Sequence, residues 1–276
     1  MARANPKTRR TQWARASATQ IQQPAPTTPN NPVGGATAQQ INQILQNAQQ
    51  AQDDGSLDNV IPQSLDALTQ MSDSQLAQLV NMSKSIDMPY HLNDVQNDTQ
   101  KFVFAIGLNE APQVLQGQAF DNYLRQNNIP RSQILSRSIS GGTINVNGTQ
   151  FNQSPQQVAQ QIMYGKYNYV GGKRGGNAYG NGTYFDMNGG RATGYGGSNA
   201  VTINAVLSPN ARTIDYYQLY NKAQQFRASH PQVARATGSL SDNNISNYAL
   251  MMGYNVITNG SGYYNVIDRS AIVVRG

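Results

Sequence analysis

The feature that most constrains the fold is a change in hydrophobic pattern near Ile129. Before it, over residues 36–126, apolar residues recur at helical spacing, as in SDSQLAQLVNMSK. After it, short runs rich in β-branched and aromatic residues alternate with Gly turns: ILSRSI, GTYF, NAVTINAVL, YNVIT, YYNVID and AIVV. Three helical segments, SPQQVAQQIMYG, TIDYYQLYNKAQQF and SDNNISNYALMMG, interrupt these strands. The order predicts an α+β domain over 129–276 with a largely antiparallel core.

The helix boundaries carry their own signals. Further helices are expected in AQQINQILQNAQQ, near Val95 to Leu108 and near Pro112 to Gln126. Side chains that accept hydrogen bonds from backbone N–H groups favour helix starts, and the candidates for this role are Ser72 or Asp73, Thr213 and Ser241. Gly253 suits a helix C-terminus.

Three regions follow from these patterns. Residues 1–35, with PAPTTPNNPVGG at their end, are too polar to bury a core, so a disordered basic and Pro-rich tail is expected. Residues 36–128 form a helical region without recognisable chemistry of its own, and residues 129–276 form the α+β domain.

Composition narrows the functional classes. The chain has no cysteine, which excludes disulfides and thiolate metal sites, and with two histidines no metal site is expected. From Phe102 onward the chain has thirteen Lys or Arg residues against six acidic ones, and this basic region suits an anionic ligand such as a dinucleotide, or a nucleic acid. No run approaches the roughly 18 apolar residues of a membrane span, so no membrane partner is expected.

The segment GNGTYFDMNGGRATGY carries the most specific functional signal. It holds Tyr184 and Tyr195, eleven residues apart, the first in a strand-like GTYF and the second after a Gly-rich turn. Two aromatic rings brought face to face can clamp a flat heterocycle by offset stacking. The glycines before Tyr184 allow a ligand to approach the backbone closely.

Residues 129–276 resemble the ADP-ribosyltransferase superfamily in three blocks: ILSRSIS, GNGTYFDMNGGRATGY and MMGYNVITNGSGYYNVIDRSAIVV. The resemblance implies a split antiparallel sheet core, here preceded by the helical region, and NAD as substrate. It places Arg137 in the family's basic position, where a planar guanidinium reaches phosphate or ribose oxygens. It further implies that NAD contacts a wider set of residues: Arg137, Ser138, Gly182, Thr183, Tyr184 and Tyr195.

The third block departs from the family pattern. The family's catalytic glutamate should fall at Tyr263 or, in a second register, at Asn265, and neither is acidic. In the family this carboxylate stabilises the cation-like transition state, and losing such a group typically costs about 10²–10³ in rate. The resemblance thus implies Arg137 and Tyr263 as the catalytic residues, with Tyr263 at the position of the glutamate. Transfer of a single ADP-ribose is favoured over chain elongation.

Other interpretations stay open. Tyr184 and Tyr195 could be ordinary core or loop residues, and Arg137 could form an ion pair with Asp186 or Asp268. The segment GGKRGGNAYGNG is typical of flexible basic segments that bind single-stranded nucleic acid.

The Gln- and Asn-rich composition of the chain is typical of bacteriophage products. The expectation is a phage protein in the virion or host cytoplasm that modifies a host protein or nucleic acid. The alternative is a catalytically inactive virion or assembly protein that contacts phage structural proteins.

Overall fold

The computed structural model describes residues 38–54, 65–86, 91–92, 98–106, 111–146, 149–164, 179, 181–187 and 199–276. The predicted tail, residues 1–35, lies outside these ranges, as do Tyr195 and the basic Gly-rich residues 171–178. Residues 35–276 form one compact unit. The boundary predicted between residues 128 and 129 therefore falls inside that unit.

The described residues form nine α-helices and eleven strands. The helices are α1 (Ala38–Asp54), α2 (Leu65–Thr69), α3 (Asp73–Lys84), α4 (Asp98–Ala105), α5 (Gly117–Gln126), α6 (Pro155–Tyr164), α7 (Tyr216–Ser229), α8 (Pro231–Thr237) and α9 (Ile245–Met251). The strands are β1 (His91–Leu92), β2 (Gln113–Leu115), β3 (Leu135–Ile139), β4 (Gly142–Val146), β5 (Thr149–Gln153), β6 (Thr183–Met187), β7 (Val201–Leu207), β8 (Thr213–Asp215), β9 (Val256–Thr258), β10 (Tyr263–Val266) and β11 (Ile272–Arg275).

Eight of these strands build one large mixed sheet in the order β2–β11–β7–β3–β6–β10–β9–β8. The outer pairs β2–β11 and β8–β9 are parallel, and the pairs between them are antiparallel. Strands β1, β4 and β5 form a separate antiparallel sheet. The protein is therefore a mixed α/β fold, and the six strands expected from the sequence are all confirmed, as β3, β6, β7, β9, β10 and β11.

Several boundary predictions are wrong. The helix expected from Pro112 begins only at Gly117, because Gln113–Leu115 forms strand β2 beside β11. Thr213 lies in strand β8, and the cap of α7 is Asp215, which accepts hydrogen bonds from the backbone of the first turn. Helix α9 begins after Asn244 rather than after Ser241. The first two errors share a cause, because β2 and β8 are each held by a partner strand distant in sequence.

Other boundary signals are confirmed. Ser72 begins α3 with a reciprocal capping box, in which Gln75 bonds back to the Ser72 backbone. Gly253 follows α9 with φ of 83°, a left-handed conformation that favours glycine.

The helices of the N-terminal half share a core with those of the C-terminal half. Apolar residues of α1, α2, α3 and α4 pack in one cluster with α7, α8 and α9 and with Ile257 of the sheet. The two ends of α3 also bond to α8: Asp73 accepts from two backbone N–H groups at the start of α8, and Lys84 donates to the Ala236 carbonyl. These charges complement the α8 dipole. The helices α1 to α4 are thus part of the same packed structure as the large sheet.

Candidate functional site

The three sequence blocks that carry the family resemblance lie on neighbouring strands. Strand β6 pairs with β3 on one side and with β10 on the other. In these registers Asp186 lies opposite Ser136 and Tyr263, and Tyr184 lies opposite Asn265. Segments far apart in sequence therefore meet in the middle of the large sheet.

The pairing between β3 and β6 is short. It comprises the pairs Leu135–Met187 and Ser136–Asp186, although each strand has five residues. Beyond these pairs, Nη1 of Arg137 donates a hydrogen bond to the backbone carbonyl of Tyr184 at 2.9 Å. The two strands leave the ladder at this point, and a side chain bridges them instead of a backbone hydrogen bond.

Strand geometry divides the predicted site residues between two faces of the sheet. Side chains alternate along a strand, and residues directly opposite each other in a pair point to the same face. The face that carries Tyr184, which we call the polar face, has these residues on its three central strands: Ser136, Ser138, Tyr184, Asp186, Tyr263 and Asn265. The opposite face carries Arg137 and Thr183, whose register partners Ile203 and Val266 belong to the apolar core under α6.

Helices cover the two ends of the polar face. At one end Phe120 and Leu124 of α5 pack on Val206 and Val273. At the other end Ile257 joins the core of α7 and α9. Between them the floor is polar and partly accessible: Ser136 donates a hydrogen bond to the Asn204 side chain at 2.9 Å, and beside them lie Ser138, half-buried, and Thr202, exposed. The predicted Ser138, Tyr184 and Tyr263 all belong to this face.

Tyr184 lies half-buried between the sheet and neighbouring tyrosines. Its hydroxyl accepts a hydrogen bond from the Tyr179 backbone N–H at 3.3 Å, and burial raises the pKa of its phenol well above its usual range. The Tyr179 ring meets the Tyr216 ring edge-on, with centroids 5.2 Å apart. The Tyr216 hydroxyl donates to Asp242 at 2.5 Å. The predicted clamp partner, Tyr195, lies outside the described residues.

Tyr216 was not among the residues predicted for the site. It opens helix α7, and no pattern in the sequence links it to Tyr184. Its contact with Tyr179 depends on how α7 packs on the sheet, so Tyr216 can be recognised as a site residue only from the three-dimensional structure.

Asn265 occupies a tight position opposite Tyr184. Its side chain is 1% exposed, and its Nδ2 donates a hydrogen bond to the Tyr179 carbonyl at 3.0 Å. Within the described ranges its Oδ1 has no hydrogen-bond partner. A Cβ added to Gly182 would collide with this oxygen. The close approach that Gly182 permits in this structure is thus that of the Asn265 side chain.

Tyr263 lies at the edge of the polar face, beside the turn that joins β9 to β10. The Asn259 side chain accepts hydrogen bonds from the backbone N–H groups of Ser261 and Tyr263 and so closes this turn. A pocket of about 530 Å³ opens there, lined by residues that include Met187, Thr258 and Gly260–Tyr264. Of the predicted site residues in the described ranges, Tyr263 alone lines it.

Two further observations concern the described ranges as a whole. They hold no group of three His, Asp or Glu side chains arranged as metal ligands would be. None of their helices has both the length and the apolar character needed to cross a bilayer. Comparison of the chain with protein-family models, with curated proteins and with solved structures gives no match.

Proposed function

We propose that this chain is an ADP-ribosyltransferase-like protein that binds NAD on the polar face, at the opening between β3 and β6. One observation carries the proposal. Each of the three blocks chosen for their family resemblance contributes one of the consecutive strands β3, β6 and β10, although the third block also forms β9 and β11, and the β3–β6 ladder ends beside Arg137 and Tyr184.

In this proposal Tyr184 and Tyr195 stack on nicotinamide, and Ser138 contributes a hydroxyl from the floor of the groove. Gly182 and Thr183 act indirectly, because Gly182 packs against Asn265 and Thr183 is buried on the opposite face, so both hold the strand that carries Tyr184. Arg137 orients the dinucleotide through the gap between the strands, after exchanging its bond to the Tyr184 carbonyl for one to the ligand. The protein then transfers one ADP-ribose to a host protein or nucleic acid. Its fold is the split-sheet core of the family, with the split between β3 and β6.

The Gln- and Asn-rich composition supports a bacteriophage origin and a place in the virion or host cytoplasm. A second candidate is a catalytically inactive virion or assembly protein that keeps the fold. The specific observation in its favour is that tyrosine and asparagine stand at positions 263 and 265, where the family has a glutamate.

Calorimetric titration with NAD tests the binding proposal. Tyr184→Ala should weaken NAD binding about 5- to 150-fold, because loss of one stacking ring typically costs 1–3 kcal/mol. Tyr217→Ala is the matched control: this tyrosine is 66% exposed on α7 and should leave the affinity unchanged. Absence of binding by the wild type, or equal effects of the two variants, would contradict the proposal.

A salt series separates NAD from nucleic acid as the ligand. Single-stranded nucleic acid should lose affinity steeply between about 50 and 200 mM salt, because its binding releases many counterions. NAD carries few charges, so its affinity should change little with salt.

Incubation of the wild type with labelled NAD and host lysate tests transfer. Label on a host macromolecule separates an active transferase from the inactive alternative.

A further inference from the structure

The polar face offers a carboxylate beside the position where the glutamate is missing. Asp186 lies directly opposite Tyr263 in the β6–β10 register, and one step diagonally from Asn265. Directly opposite side chains have Cβ atoms about 4.5–5.5 Å apart, and diagonal ones about 7–8 Å. The family's glutamate could fall at Tyr263 or at Asn265, and both positions are thus next to Asp186.

Asp186 is the single acidic residue on the six strands β3, β6, β7, β9, β10 and β11. It is 7% exposed, with Ser136 and Tyr263 as its register neighbours on the same face. A carboxylate in such surroundings acts through a lower effective dielectric than one in water, so its interaction with a nearby cation is strengthened.

Its distance from the proposed nicotinamide position is also suitable. Asp186 follows Tyr184 by two residues on the same face, a separation of about 7 Å along the strand. A nicotinamide ring stacked on Tyr184, with its ribose directed along β6 toward Met187, would bring the ribose close to Asp186.

We propose that the Asp186 carboxylate supplies the negative charge that the glutamate supplies in the family, and so stabilises the ribose cation as nicotinamide leaves. The proposal rests on the NAD-binding function proposed above. In the step, the bond from ribose C1′ to the pyridinium nitrogen breaks and its electron pair leaves with neutral nicotinamide. An acceptor oxygen or nitrogen, or water, then bonds to C1′ and releases its proton to solvent. Asp186 accepts a hydrogen bond from a ribose hydroxyl throughout.

The first test measures NAD affinity and nicotinamide release separately in Asp186→Asn. This change keeps the shape of the side chain and removes its charge. We expect release to fall by about 10²-fold or more, as for loss of one preorganised group, with the NAD dissociation constant changed less than about 3-fold. Asp121→Asn, a carboxylate on α5 that pairs with Arg131 and Arg275, is the control and should leave release unchanged.

The second test moves the charge instead of deleting it. Tyr263→Glu added to Asp186→Asn returns a carboxylate to the neighbouring strand, at one of the two positions where the family's glutamate could fall. We expect this double variant to recover at least about 10-fold of the lost release rate. Thermal unfolding of each variant is measured alongside. If Asp186→Asn fails to fold, Asp186→Glu replaces it, and its release rate should stay well above that of Arg137→Ala at equal thermal stability.

The outcomes are distinct. A wild-type release rate in Asp186→Asn overturns the role of Asp186 and leaves NAD binding intact. Loss of affinity together with release, without rescue by Tyr263→Glu, assigns Asp186 a structural role instead. A wild type that binds NAD but releases no nicotinamide also overturns the proposal. A wild type that binds no NAD refutes the proposed function itself.

Discussion

Gly182 is a position at which one added methyl group should disturb the candidate site strongly. A Cβ there would collide with Oδ1 of Asn265 and would lie 2.8 Å from the Val266 carbonyl oxygen. Gly182 is buried, and its φ is not among the positive values in the chain, so the backbone itself would accept alanine. The expected effect of Gly182→Ala is therefore crowding between β6 and β10.

The magnitude follows from what must move. Forcing a methyl group into a packed site typically costs 1–3 kcal/mol. If the crowding also turns the Asn265 side chain away, that side chain loses its hydrogen bond to the Tyr179 carbonyl, worth about 1 kcal/mol, and leaves a buried amide without that partner. Together these effects give an expected loss of about 2–4 kcal/mol in the free energy of unfolding.

A double-mutant cycle with Asn265→Ala, followed by urea denaturation, tests the reasoning. Asn265→Ala removes the atom that the new Cβ would strike, so Gly182→Ala should cost at least about 1 kcal/mol less in that background. Part of the cost should remain because the Val266 carbonyl is still close. Additivity of the two substitutions within about 0.5 kcal/mol would refute the contact as the cause.

Three further predictions concern stability. Asp73→Ala removes the side chain that caps α8 and should lower the free energy of unfolding by about 1–2 kcal/mol, measured by chemical denaturation, with Asp73→Asn losing less. Arg269→Met should cost about 3 kcal/mol or more in the same assay, because the guanidinium, whose pKa burial lowers to about 10, donates to two carbonyls in the last turn of α6. Tyr184→Phe should lose about 1 kcal/mol less stability than the wild type between about pH 9 and pH 11. Burial raises the folded-state pKa of Tyr184, so this stability is present below the unfolded pKa of about 10 and is lost as pH rises; equal losses in both proteins would contradict this.

The strands of the large sheet that the sequence revealed are those with a local pattern. Strand β3 alternates apolar and polar residues, and strands β7 and β11 are rich in β-branched residues. Such residues fit a packed sheet whichever strand they pair with. Strand β2 has three residues and is held by parallel pairing with β11, more than 150 residues away in sequence. No local pattern encodes such a pairing. Its residues therefore resembled the start of the following helix.

The small sheet was missed for a different reason. Strand β5 has a single apolar residue, Phe151, and β4 alternates over only the four residues Thr143 to Val146, so neither gives a strong strand pattern by itself. The sequence between them is Asn-Gly, a strong signal for a two-residue hairpin turn. This hairpin could have been predicted from the turn, although not from its strands.

The orientation of Arg137 was also present in the sequence. In Leu-Ser-Arg-Ser-Ile, a period of two places Arg137 on the same face as Leu135 and Ile139, both of which are buried. Ser136 and Ser138 necessarily take the other face, with Tyr184. The predicted NAD residues could therefore have been divided between two faces at the outset. What the strand pattern could not give is the early end of the β3–β6 ladder, which allows Arg137 to reach the Tyr184 carbonyl.

The helical region, which suggested no chemistry as a sequence, shapes the candidate site through packing. Its helices α1 to α4 share one core with α7 and α9, so they fix the position of α7 on the sheet. The first residue of α7 is Tyr216, whose ring contacts Tyr179, and the backbone of Tyr179 bonds to both Tyr184 and Asn265. The polar face is thus bordered at this end by a helix that residues 36–128 support. A region without catalytic residues of its own can in this way determine how closely a ligand approaches Tyr184.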